Sequence, residues 1–143
     1  MNGTLALLRE ARRHELEQAH FYRLLAGDAE RAGEAATAER LNDLLADEQH
    51  HVSRLTARIL ELGGKPEDAG GAAVEVPALG AWEGAARGRE EREVSWYADA
   101  LGRVDDPETL AILAEILDAE RHHRDTLAGK WMSAGPARAT EAT

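Results

Sequence analysis

The sequence has no cysteine. That excludes disulfides, thiolate zinc sites, cysteine-ligated iron–sulfur centres and a catalytic thiol. Any metal would have to be held by carboxylate and imidazole. Aromatic residues make up only 4% of the chain, and β-branched residues are few, which disfavours a sheet. No run of about 18 or more apolar residues is present, so no membrane-spanning helix is expected. The N-terminus shows no signal-peptide pattern, and a cytoplasmic setting is the default expectation. No lysine/arginine cluster stands out and the formal charge is −10, which argues against a basic nucleic-acid-binding face.

What the sequence has in quantity is Ala, Leu, Glu and Arg, a helix-forming set, over a length of 143 residues that suits one domain. The patterning predicts four helices, at about 4–32, 34–62, 78–104 and 107–131. Thr4 reads as the first N-cap, Gly33 and the Gly63-Gly64 pair as stops, and Asp106 with Pro107 as the start of the last helix. Residues 132–143 read as a flexible tail after a domain spanning 1–131. The turns within the first and last helix pairs are short, so each pair is antiparallel. The connection at 63–78 has about 16 residues at roughly 3.3 Å each, enough for about 50 Å and longer than a helix of about 42 Å. The expected fold is therefore all-α: an antiparallel four-helix bundle with one long crossover between helices 2 and 3.

One stretch breaks the apolar rule. In "LADEQHHVSRL", residues 45–55, Glu48 and His51 interrupt a stripe formed by Leu41, Leu44, Leu45, Val52, Leu55, Ile59 and Leu62. A carboxylate aimed at a core is costly unless it is neutralised there. The irregularity recurs in "LDAERHHRDTL", residues 117–127, where Glu120 aligns with Glu48 and His123 with His51. The first helices match too: "ARRHELEQAHFYRLLA" (11–26) aligns with "ARGREEREVSWYADAL" (86–101), pairing Glu15 with Glu90 and Tyr22 with Tyr97. The chain thus reads as two divergent helical hairpins. Each supplies one Glu from its first helix and a Glu-x-x-His from its second, near the helix midpoints. Four carboxylates and two imidazoles converge on one apolar interior. Two divalent ions would balance the four negative charges, and this donor set suits iron or manganese and admits zinc.

The set resembles the ferritin-like di-iron carboxylate family, most closely its rubrerythrin-like branch, over about residues 5–131. Its carriers are "HELEQAHFY", "ADEQHH", "REEREVSWY" and "DAERHH". The resemblance implies two iron ions held by Glu15, Glu48, His51, Glu90, Glu120 and His123. It also offers Glu93, three residues after Glu90, as a further ligand. Tyr22 and Tyr97 fall two turns beyond Glu15 and Glu90, where a hydroxyl would bond a ligand carboxylate or donate an electron, or simply pack in the core. Rubrerythrins usually carry a cysteine-ligated rubredoxin domain that this sequence does not contain, so an external electron donor is expected.

The activity implied is oxidation of Fe(II) with O2, or reduction of hydrogen peroxide. An iron sequestration or delivery module in an oligomer or protein shell is the second reading, and a metal-free helical interaction protein the third. Alanine and leucine beyond the core stripe leave room for a homodimer or higher oligomer. Glu17 with His20, and His50 and His122, read as surface. Trp82, Trp96 and Trp131 read as core aromatics.

Overall fold

The computed structural model describes residues 2–67 and 73–127. Within them lie α1 (Asn2–Arg31), α2 (Ala35–Glu61), a short 3-10 turn at Leu79–Ala81, α3 (Trp82–Leu101) and α4 (Pro107–Leu127). No strand occurs among the described residues. The architecture is the expected four-helix bundle.

Each helix buries one stripe. On α1 the buried positions include Leu8, Ala11, Glu15, Gln18, Tyr22, Leu25 and Ala29, spaced three or four apart. The first hairpin turns at Gly33, whose φ of 73° suits glycine, and α2 ends at Gly63 with φ 84°. Gly64 sits in a close approach of a different kind. A Cβ there would lie 2.8 Å from Leu5 Cδ2, because the chain leaves α2 pressed against α1.

The two described ends of the crossover lie at opposite ends of the bundle. The start is fastened to α1, where Arg9 Nε donates to the Lys65 carbonyl at 3.0 Å and Arg12 Nη1 to the Glu67 carbonyl at 2.8 Å. Val74, Val76 and Leu79 pack at the opposite end, against the cluster of Phe21, Leu25, Leu41 and Trp82. A second apolar cluster, including Leu8, Leu55, Ile59, Leu113 and Ile116, fills the end where the crossover begins. Between the two clusters the core is polar.

Several boundaries differ from the sequence reading. α1 starts at Asn2, so Thr4 lies inside the helix and is not its cap. The third helix was expected from 78 to 104. The chain there makes a 3-10 turn containing Gly80 before α3 begins at Trp82. α3 stops at Leu101, where the Gly102 and Arg103 amides bond back to the Asp99 and Ala100 carbonyls at 3.1 and 3.0 Å. Val104 is instead a core residue of the loop. α4 is described to Leu127; the expected extension to Trp131 and the tail at 132–143 lie outside the described residues.

The start of α4 is also a clasp between hairpins. Asp106 Oδ2 accepts from the Thr109 amide at 3.2 Å, as an N-cap does, and from Arg58 Nη2 of α2 at 2.6 Å. Arg58 is buried and also donates to Thr109 Oγ1 at 3.1 Å. The bonds from Thr109 and then Arg58 hold the Asp106 carboxyl below its ordinary pKa. A lowered folded-state pKa stabilises the fold above the unfolded pKa of about 3.9, and that contribution is lost as pH falls through the folded value. Asp106→Asn should lower Tm at neutral pH, and its difference from the parent should shrink below about pH 4. Thermal melts followed by circular dichroism across that range would show it; a pH-independent difference would refute the linkage.

Candidate metal centre

The polar layer consists of Glu15 from α1, Glu48 and His51 from α2, Glu90 from α3, and Glu120 and His123 from α4. All four carboxylates are fully buried, and both imidazoles are 3% exposed. The helices place them together because each glutamate lies near its helix midpoint, and midpoints meet at one level whichever way a helix runs.

The ligand atoms form two overlapping groups. Glu15, Glu48, His51 and Glu120 make one, and Glu48, Glu90, Glu120 and His123 the other, with donor atoms in each group within 4.8 Å of one another. Glu48 and Glu120 are common to both. Each histidine turns Nδ1 inward: that of His51 lies 2.9 Å from Glu15 and 3.3 Å from Glu48, and that of His123 lies 3.1 Å from Glu120. The outer nitrogen of His123, Nε2, donates to Asp47 Oδ2 at 2.8 Å. This fixes the ring and leaves Nδ1 to face the centre.

The tyrosines couple the two hairpins crosswise. Tyr22 of α1 donates to Glu90 Oε2 of α3 at 2.5 Å, and Tyr97 of α3 donates to Glu15 Oε2 of α1 at 2.7 Å. Gln18 Nε2 also reaches Glu90 Oε2, at 3.3 Å. Among the described residues, three buried side-chain oxygens remain without a hydrogen-bond partner: Glu48 Oε2, Glu90 Oε1 and Glu120 Oε2. Orphaned carboxylate oxygens in a dry core are costly, and here they belong to glutamates of the two groups.

Electrostatics give the same account. Burial, and then the neighbouring carboxylate, pushes Glu48 and Glu120 well above the ordinary carboxyl pKa. Burial also opposes charge on His123, but its bonds to Glu120, Glu48 and Glu90 prevail and raise it strongly. In Glu15 burial is outweighed by the bonds from His51 and its other neighbours, and its pKa falls. Burial and the adjacent Glu90 or Glu15 raise both tyrosine hydroxyls well above their usual value, so they act as donors. Without a metal, protons must take the place of cations. The buried oxygens and imidazoles, converging from four helices with unpaired lone pairs, fit a pair of divalent ions such as iron or manganese.

Glu93 is not in either group. It is 14% exposed and meets His14 Nδ1 at 3.1 Å. His50, His122 and Glu17 are exposed, as the sequence suggests. Trp82 is buried, Trp96 is partly so, and Trp131 lies outside the described residues. Sequence reasoning missed Asp47, Gln18 and His14. Gln18 carried a usable signal, since it stands three residues after Glu15 as Glu93 does after Glu90.

A family model described as rubrerythrin matches residues 6–130. Among solved structures, the bacterioferritin of Mycobacterium tuberculosis is similar at a TM-score of 0.86 and 22% identity, covering 94% of this chain and 88% of its own. A mycobacterial bacterioferritin gives 0.85 and 24%, covering 94% and 87%. The bacterioferritin of Desulfovibrio desulfuricans, described with its di-iron site in different catalytic states, gives 0.83 and 22%, covering 90% and 77%. These likenesses show the fold. A search of curated proteins finds no match.

The repulsion in the metal-free layer makes a direct prediction. Replacing one of the buried carboxyl groups by an apolar side chain of similar volume should stabilise the bundle. Glu48→Met should raise the unfolding free energy of chelator-treated protein at neutral pH, because a carboxyl whose pKa is raised on folding costs stability there. Urea denaturation would measure this, and a destabilised variant would count against the charge-repulsion account.

Proposed function

The chain belongs to the rubrerythrin family, and on that premise we propose that it is a dinuclear iron oxidoreductase. It oxidises Fe(II) with O2 or reduces hydrogen peroxide. The observation that carries this reading is the buried layer of four carboxylates and two imidazoles, shared between two overlapping ligand groups.

In this reading Glu15 and His51 would hold one metal ion, and Glu90 and His123 the other. Glu48 and Glu120, common to both groups, would offer oxygens to both ions. Manganese would use the same donors. Bound iron supplies the electron exchange with O2 or peroxide, and an external donor restores it. The protein supplies the frame. Tyr97 and Tyr22 hold one oxygen of Glu15 and of Glu90, leaving the other oxygen of each free to bind. Asp47 keeps His123 in the tautomer that presents Nδ1. The apolar clusters above and below exclude water, so charge at the layer is met by these fixed groups.

The fold shared with bacterioferritins supports a second reading, iron sequestration within an oligomer. The two readings differ in how much iron each chain retains after oxidation. An oxidoreductase saturates near two ions per chain, whereas a store goes far beyond.

Anaerobic Fe(II) titration of metal-free protein, followed by separate pulses of O2 and peroxide, should give saturation near two and an oxidation-dependent near-ultraviolet band. The faster oxidant identifies the activity. His123→Ala should abolish the band while circular dichroism stays helical, and Tyr97→Phe should lower metal affinity or rate by about 10–100-fold. Unchanged oxidation in His123→Ala would overturn the proposal.

A further inference from the structure

The two halves of the layer are related by an approximate twofold, and the contacts around it repeat closely. His14 and Arg89 occupy equivalent positions, one residue before Glu15 and Glu90. Gln18 and Glu93 are equivalent, as are Phe21 and Trp96. His14 Nδ1 meets Glu93 Oε1 at 3.1 Å, and Arg89 Nε meets Gln18 Oε1 at 2.5 Å. The His14 ring lies 4.6 Å from the Trp96 ring, and the Arg89 guanidinium lies 4.6 Å over Phe21. The geometry is conserved across the twofold while the charge is not.

Arg89 donates and cannot accept, so Gln18 Oε1 must face it. The Gln18 amide nitrogen then points at Glu90. This half carries one fixed positive charge and a neutral amide. The other half carries His14 and Glu93. Whether the proton between them rests on the imidazole or the carboxyl, that pair is neutral, and without the proton it is negative. The Glu15–His51 half is therefore more negative than the Glu90–His123 half by at least one charge. Asp47 acts in the opposite sense, since Ala119 stands at its equivalent position. Its carboxylate is 56% exposed and lies beyond the His123 ring, where water screens it. Gln18 is fully buried and Glu93 nearly so.

We propose that the two metal positions are unequal and fill in order, the Glu15–His51 position first, because His14 and Glu93 on one side are exchanged for Arg89 and Gln18 on the other. This rests on the reading of the layer as a dinuclear centre. It assigns Arg89 and Gln18 as positioning residues that hold Glu90 and weaken the second position. It also gives Glu93 a role in setting affinity without requiring it to touch the metal.

Co(II) titration of the metal-free protein, followed by visible absorption and calorimetry, tests the order without any turnover. Two binding steps separated by about tenfold or more are expected from one unit of charge in a partly buried setting. His51→Ala should remove the tighter step and His123→Ala the weaker. Arg89→Gln, at a half-exposed position that keeps a donor for Gln18, should strengthen the weaker step. Glu93→Gln should weaken the tighter one. Two equal steps in the parent protein would overturn the order while leaving the dinuclear centre standing. So would a gap that neither variant narrows. Absence of saturable binding would overturn the centre itself, and the order with it.

Discussion

Four carboxylates share one buried level of the bundle, and their mutual repulsion is the constraint that organises the rest. A dry core cannot hold four such charges, so each must be protonated, bonded or matched by a cation. The structure uses the second option as far as geometry allows. Tyr22, Tyr97, Gln18, His51 and His123 all direct polar atoms at the carboxylates. The supply still falls short by three oxygens. That shortfall is what a pair of metal ions would remove.

The frame resists this layer from both ends. Above and below it lie separate apolar clusters, anchored by side chains such as Leu25 and Leu41 on one side and Leu8, Leu55 and Leu113 on the other. A fully buried leucine contributes about 1.5–3 kcal/mol, and these clusters work against the cost of the layer. The hairpins are also locked to each other away from the layer. Arg58 ties α2 to the start of α4, and Arg9 and Arg12 tie α1 to the crossover. The chain can therefore present its charged layer ready-formed.

The buried polar layer was legible in the sequence because it violates the local rule. Glu48 and His51 interrupt a stripe that is otherwise leucine, valine and isoleucine, and Glu120 and His123 do so again. A repeated violation at matching positions carries far more information than a single motif. The bundle and crossover followed from glycines and connection length. The ends of helices were harder to read. Thr4 is a good cap residue, but the helix already begins two residues before it, and Val104 continues an apolar pattern although Gly102 has already closed the helix. The side chains behind the centre were harder still. Asp47 meets His123, and Arg89 meets Gln18, across helices that are distant in sequence. No periodicity within one helix encodes such pairs.

Duplication explains why these cross-helix pairs are informative once seen. Two equal hairpins would build two equal metal positions, and the candidate ligands still obey that symmetry: Glu15 mirrors Glu90, His51 mirrors His123, and the tyrosines exchange hydrogen bonds reciprocally. The departures lie just behind the ligands, at His14 and Arg89, Gln18 and Glu93, Asp47 and Ala119. A ligand cannot change without losing the donor set, whereas a residue one layer out can change charge and leave the geometry intact. Divergence is therefore tolerated where it alters affinity rather than coordination. On the proposed reading, a symmetric scaffold would thereby acquire two chemically distinct positions without altering any of the six side chains that face the centre.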